Sequence, residues 1–218
     1  MGLNSIKTFK IIRAILTVKS FSQRSLLKYV NASIGQINHV VNWCIKKRHV
    51  TKRSKDMSIP GLFDEPENGW QKYFLVNPLG LLRDISVFRD IGSLSAIELK
   101  VRLNKEEVIQ RLKDLEMVVC LDSALEHYDS FYRSDRLCVY SGPKGIPEVK
   151  KRLSKEPGLL KILVLKADPR IDRDDPLAVT EMDGIKFTSR VQTVIDLFCD
   201  EKGYYAKNIL KELWGVEV

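Results

Sequence analysis

Apolar residues recur every three or four positions through the first fifty residues, then alternate strictly from Ser95 to Leu103. The first period buries one face of an α-helix and the second buries one face of a β-strand. A chain that changes period part-way along is expected to build a helical unit first and a sheet-containing unit after it. The fold class read this way is α+β: an N-terminal helical domain followed by a mixed α/β domain. The expected boundaries are 1–77 for the first domain, 78–93 for a linker helix and 94–218 for the second domain.

In the N-terminal part, Ile6, Phe9, Ile12, Ile15 and Leu16 share one helix face over Ser5–Lys19, with Lys7, Lys10, Arg13 and Lys19 largely elsewhere. Ser22 is a good N-cap for a second, short helix to Val30, with Leu26, Leu27 and Val30 inward. The polar turn Asn31-Ala32-Ser33 follows, and Ser33 can cap a third helix from Ile34 to Arg48. Its apolar stripe is Ile34, Ile37, Val40, Val41, Cys44 and Ile45. The opposite face carries Gly35, Gln36, Asn38, His39, Asn42, Lys46 and Lys47.

Amides at the front of a helix and lysines at its back suit a reader of the DNA major groove. Amides pair bidentately with adenine edges, and lysines meet phosphates. Ser33, Gln36, His39 and Asn42 are the candidates for base contact, because the N-terminal half of a recognition helix approaches the bases. Asn38 belongs to the same face. Val50-Thr-Lys-Arg-Ser-Lys and Lys72–Asn77 read as two strands around a polar loop with Pro60, Gly61, Pro66 and Gly69, the pattern of a β-wing. Helix, helix, recognition helix and wing in that order make the N-terminal domain a winged helix-turn-helix. Lys52, Arg53 and Lys55 would meet the phosphate backbone. The loop tip, with Asp64, Glu65 and Glu67, would be repelled by it.

Charge supports this placement. Met1–Asp56 holds 12 Lys+Arg and one acid, net +11, whereas Met57–Val218 holds 24 Lys+Arg and 27 acids, net −3. The overall +8 therefore belongs to the N-terminal segment, which points to a polyanionic partner for that segment. Double-stranded DNA fits better than a membrane surface, since an interfacial helix needs a bulky apolar face that no core uses. The apolar runs are too short for a membrane span. Lys10, Arg13 and Lys19 break up any signal-peptide core, so a cytoplasmic location and no membrane partner are expected.

Downstream, Pro78–Ile91 reads as the linker helix, with Leu79, Leu82, Ile85 and Phe88 on one face and Gly92 ending it. Helices are expected at 105–115, 122–131, 147–154, 190–199 and 204–214, and strands at 95–103, 137–141 and 159–165. A hairpin is expected around Asp183-Gly184. Cys44, Cys120, Cys138 and Cys199 lie far apart in apolar contexts, as buried free thiols do, and no metal site is signalled.

Catalytic signals are poor: there is no phosphate-binding glycine loop, no G-x-S-x-G and no H-E-x-x-H. Glu98-x-Lys100 could begin a metal-dependent nuclease site, and Asp172, Asp174 and Asp175 form an acidic run, but a solvated surface accounts for both. Asp90 is upstream. No catalytic residue and no cofactor are expected. A DNA-targeted nuclease and a protein-binding adaptor stand as the alternatives to a regulator.

Two stretches carry a family resemblance. They are Cys-Leu-Asp-Ser-Ala-Leu-Glu-His-Tyr at 120–128 and Phe-Thr-Ser-Arg-Val-Gln-Thr-Val-Ile-Asp-Leu-Phe at 187–198. Together with the order winged helix, linker and α/β domain, the chain resembles the AbiEi-like antitoxin regulators of abortive-infection toxin–antitoxin systems. Ser189, Arg190, Thr193 and Asp196 match that family's S-R-x-x-T-x-x-D-L helix. The resemblance implies a DNA-binding domain that represses its own operon and a C-terminal domain with antitoxin function. It also implies a nucleotidyltransferase-like toxin as a partner. A second copy of the chain is the other protein partner considered.

Overall fold

The computed structural model describes residues 5–52, 72–153 and 158–217, and the chain divides into two compact units, Met1–Ile85 and Ser86–Val218. In the first unit, Ser5 caps α1 (Ile6–Val18) by accepting from the Thr8 amide at 3.1 Å. From Thr8 to Leu16 every residue of α1 is buried except Lys10, as in a helix covered on several sides. Arg13, expected away from the apolar face, is therefore fully buried. With Ile11, Ile12 and Ala14 also buried, that turn of the helix has no solvent side.

A strand that the sequence does not announce, β1 (Ser20–Phe21), comes next; two residues are too few to show a period. Where an α-helix from Ser22 to Val30 is expected, the chain forms one 3₁₀ turn, Ser25–Lys28. Ser22 and Ser25 bond each other reciprocally, at 2.9 and 3.0 Å, and close that turn. Leu26 and Val30 are buried, but Leu27 is 43% exposed. At three residues per turn, neighbours point about 120° apart, so Leu26 and Leu27 cannot both face inward.

α2 (Ile34–Lys46) buries Ile37, Val40, Val41 and Cys44. Ile34, assigned to the same stripe, is exposed in the first turn, ahead of the packed region. β2 (Val50–Lys52) and β3 (Tyr73–Leu75) pair antiparallel, with Thr51 opposite Phe74, and β1 adds to the other side of β3. The order is β1-β3-β2. Phe21 stacks on Tyr73 with ring centroids 5.6 Å apart. α3 (Pro78–Ser86) buries Leu81, Leu82 and Ile85. It stops five residues before the expected end at Ile91, leaving Phe88 exposed, and Gly92–Leu94 makes a separate 3₁₀ turn.

The second unit contains β4 (Ser95–Val101), α4 (Lys105–Leu112), β5 (Val118–Val119), α5 (Leu121–Tyr128), β6 (Arg136–Ser141) and α6 (Gly145–Leu153). It continues with β7 (Leu160–Lys166), β8 (Val179–Met182), β9 (Ile185–Thr188), α7 (Arg190–Cys199) and α8 (Lys207–Trp214). Six strands form one mixed sheet, β4-β7-β6-β5-β9-β8, parallel at β7-β6 and β5-β9 and antiparallel elsewhere. The architecture is thus α+β.

The period of two sorts β6 between two layers. Leu137 and Val139 pack with Val108 and Leu112 of α4 and Val149 and Leu153 of α6. Cys138 and Tyr140 instead meet Asp122 of α5 and Asp196 of α7. The β8–β9 turn falls on Asp183-Gly184, where φ is positive at both residues (53° and 72°). A two-residue hairpin turn of this hand needs that, and a glycine supplies the second position without strain. All four cysteines are free and buried. Among the described residues, no helix is long and apolar enough to cross a membrane.

Candidate nucleic-acid interface

The outward face of α2 is organised by its first turn. The Ser33 Oγ accepts from the Gln36 amide at 3.2 Å, and the Gln36 side chain accepts from the Ser33 amide at 3.0 Å. This capping box satisfies two amides that the helix itself cannot. Ser33 and Gln36, both candidates for base contact, thus spend these side-chain oxygens on the helix terminus, while the Gln36 Nε2 is not part of the box. Asn38, His39 and Asn42 are exposed along the same face, as is Lys46 in the last turn.

The amides of that face are linked. Asn38 Oδ1 accepts from Asn42 Nδ2 at 3.1 Å and from Gln23 Nε2 at 2.9 Å. Gln23 lies ahead of the 3₁₀ turn, and its Nε2 is also 3.3 Å from the Tyr73 hydroxyl on β3. One amide row therefore connects the turn, the helix and the strand. Gln23 is absent from the set read from the sequence, because that set follows the outer face of the third helix and the wing strand, and Gln23 falls in the expected second helix.

The lysines differ in their surroundings. Lys47 reaches Asp84 of α3 at 3.3 Å, and the buried His49 meets the same carboxylate at 3.0 Å. Burial acts to raise the Asp84 carboxyl, but the hydrogen bonds from His49 and Lys47 outweigh it and hold Asp84 below the usual range. Lys52 is exposed on β2, opposite Tyr73. Arg53 and Lys55 lie outside the described residues, as do the acidic residues Asp64, Glu65 and Glu67.

In the second unit, the residues of the motif helix take separate tasks. Ser189 caps α7 by accepting from the Gln192 amide, and it donates to the Leu177 carbonyl at 2.6 Å. Thr193 donates back to the Thr188 carbonyl at 3.1 Å, fastening α7 to the end of β9. Arg190 is exposed, 3.2 Å from Glu212 and over the Tyr128 ring. Asp196 is fully buried and belongs to a network that the sequence does not reveal.

That network centres on Arg89. Its Nε donates to Asp168 Oδ2 at 2.6 Å, one Nη to Asp196 Oδ1, and the other to the Tyr140 hydroxyl at 2.7 Å. Gln192 donates to Asp196 at 2.7 Å, and the Arg170 amide to Asp168 at 2.9 Å. Burial acts to lower the Arg89 value, but its anionic neighbours raise it well above the ordinary one. Burial acts to raise Asp168 too, and Arg89 holds it down; for Asp196 burial wins, and its carboxyl is raised. Asp168 also has the Arg170 guanidinium at 3.3 Å as well as its amide, whereas the cation beside Asp196 is Arg89, so Asp196 is left with more of the cost of desolvation. The network is enclosed, and its polar groups serve one another.

The residues considered for enzymatic chemistry are dispersed. Glu98 and Lys100 are exposed on β4. Asp172 accepts from the Asp174 amide and Asp175 from the Leu177 amide, so both close turns. Among the described residues, no three His, Cys, Asp or Glu side chains are grouped as a metal site requires. Comparison with protein-family models, with curated proteins and with solved structures yields no match to this chain.

Proposed function

We propose that the chain is a DNA-binding transcriptional regulator whose N-terminal unit acts as a winged helix. The observation that carries this reading is the outer face of α2. A capped, solvent-facing helix presents Asn38, His39, Asn42 and Lys46 in a row, in the segment that holds all of the net positive charge. A helix enters the major groove side-on, and exposed amides near its front with cations near its back match base edges and phosphates respectively. The element order helix, strand, turn, helix and strand pair supports the winged-helix reading, with β2 and β3 as the stem of the wing.

The family resemblance extends the proposal to repression of its own operon, and to the second unit as the part that meets a nucleotidyltransferase-like toxin. The test is fluorescence anisotropy with duplexes tiling the DNA upstream of the gene, at several salt concentrations. One duplex should bind at least about a thousandfold more tightly than random DNA, with log Kd varying linearly with log salt. Equal binding to all duplexes, or none at low salt, overturns the reading.

A further inference from the structure

β4 closes one end of the six-stranded sheet, and β7 is its only strand partner among the described residues. It is seven residues long and the least covered of the longer strands. The outer amides and carbonyls of such an edge are a template for another strand. After a register shift between Ser95 and Ile97, the ladder is regular from Ile97 to Val101, and its midpoint is Leu99. Glu98 and Lys100 flank that midpoint and are exposed; Ile97 and Leu99 point the other way and are half-buried.

We propose that this edge pairs with the same edge of a second copy, antiparallel about a two-fold axis at Leu99, joining two sheets into one. An axis normal to the sheet keeps each residue on its own face, so a residue can oppose only one of like parity. Centred on Glu98, the axis sets Glu98 against Glu98; centred on Lys100, it sets Lys100 against Lys100. Like charges directly opposed destabilise a pair. Centred on Leu99, Glu98 faces Lys100 of the second copy and Lys100 faces its Glu98, while Leu99 meets Leu99 and Ile97 meets Val101. This register uses the whole regular ladder and both charges. Charges, prolines and bulges blunt many edges against pairing; on β4 the register shift lies outside Ile97–Val101, and the charges are of both signs at self-complementary positions. The inference is independent of the DNA-binding reading.

Sedimentation equilibrium of the full chain at low salt tests it, with Glu98→Lys, Lys100→Glu and the double exchange. The wild type should dimerise. Each single reversal opposes like charges twice and should raise the dimer Kd at least about tenfold, and the double exchange should return it to within about threefold of wild type. Far-UV circular dichroism confirms that the variants fold, as expected for two exposed positions. A Leu99→Cys chain should form a disulfide-linked dimer on oxidation, since the two positions are directly opposed. A wild type that stays monomeric into the millimolar range overturns the proposal, as does a dimer indifferent to the single reversals or one that the cysteine variant fails to cross-link.

Discussion

Gln23 and Asn38 are joined across 15 residues by a 2.9 Å hydrogen bond from the Gln23 Nε2 to the Asn38 Oδ1. Asn42 donates to the same oxygen, so the Asn38 carbonyl accepts from two amides on an exposed face. Orientation is thereby set before any ligand arrives, which lowers the cost of ordering these side chains on binding. Gln23→Ala removes one donor from this row without touching a charge. It should weaken specific DNA binding by about 0.5–1.5 kcal/mol, roughly 2- to 13-fold, and leave the salt slope unchanged. Binding isotherms at three salt concentrations check this. An altered slope would place Gln23 among the phosphate contacts instead.

Lys46 and Lys47 are adjacent but not equivalent. Lys47 is engaged by Asp84, which also holds the buried His49. Reversing Lys46 should remove about one phosphate contact, flattening the slope of log Kd against log salt by about 0.9 while leaving thermal stability within about 0.5 kcal/mol. Lys47→Glu should show the opposite balance. It places a carboxylate beside Asp84 and should cost stability first and DNA affinity second. Equal loss of affinity with unchanged stability in both variants would contradict the distinction.

Ser33 separates folding from recognition. Ser33→Ala deletes the cap of α2 and should destabilise the first unit by about 1 kcal/mol. Ser33→Asp keeps an acceptor for the Gln36 amide and should keep that stability, yet it adds a negative charge at the end of the helix proposed to meet DNA. Thermal unfolding and anisotropy on the same samples should therefore rank the two variants differently. If Ser33→Asp binds DNA as wild type does, the front of α2 faces away from the duplex.

The features legible in the sequence are those written within a few neighbouring residues. Ser33 and the stripe Ile37, Val40, Val41 and Cys44 mark α2; alternation marks β4; Asp183-Gly184 marks the hairpin turn. Features that depend on distant partners were not. Arg13 looks like a surface residue until the elements that cover α1 are in place. Leu27 turned outward because two serines close a 3₁₀ turn. Arg89, Asp168 and Asp196 are brought together from positions 79 and 107 residues apart, and no local pattern distinguishes them from solvated charges. The candidate site divides the same way: Asn42 and Lys46 follow from the helical period, whereas Gln23 follows only from the packing of the turn.

The Arg89 network yields two pH dependences of opposite sign. Asp168 is held below the ordinary carboxylate range. Its contribution to stability is present above that range and lost as pH falls through its lowered value. Asp196 is raised, so its contribution is full below the ordinary range and is lost as pH rises through its raised value. Denaturant unfolding of Asp168→Asn and Asp196→Asn against wild type should therefore diverge. The cost of Asp168→Asn should grow with pH on the acid side of the ordinary carboxylate range. The cost of Asp196→Asn should shrink as pH rises above that range, because the wild-type carboxyl must then ionise while buried and the amide does not titrate. Arg89→Met, which removes the cation beside Asp196 and leaves Asp168 to Arg170, should cost about 3–5 kcal/mol at neutral pH. It should recover part of that in acid, where both carboxyls can be neutral. Costs that vary in parallel for the two asparagine variants would mean that the carboxylates share their charge evenly.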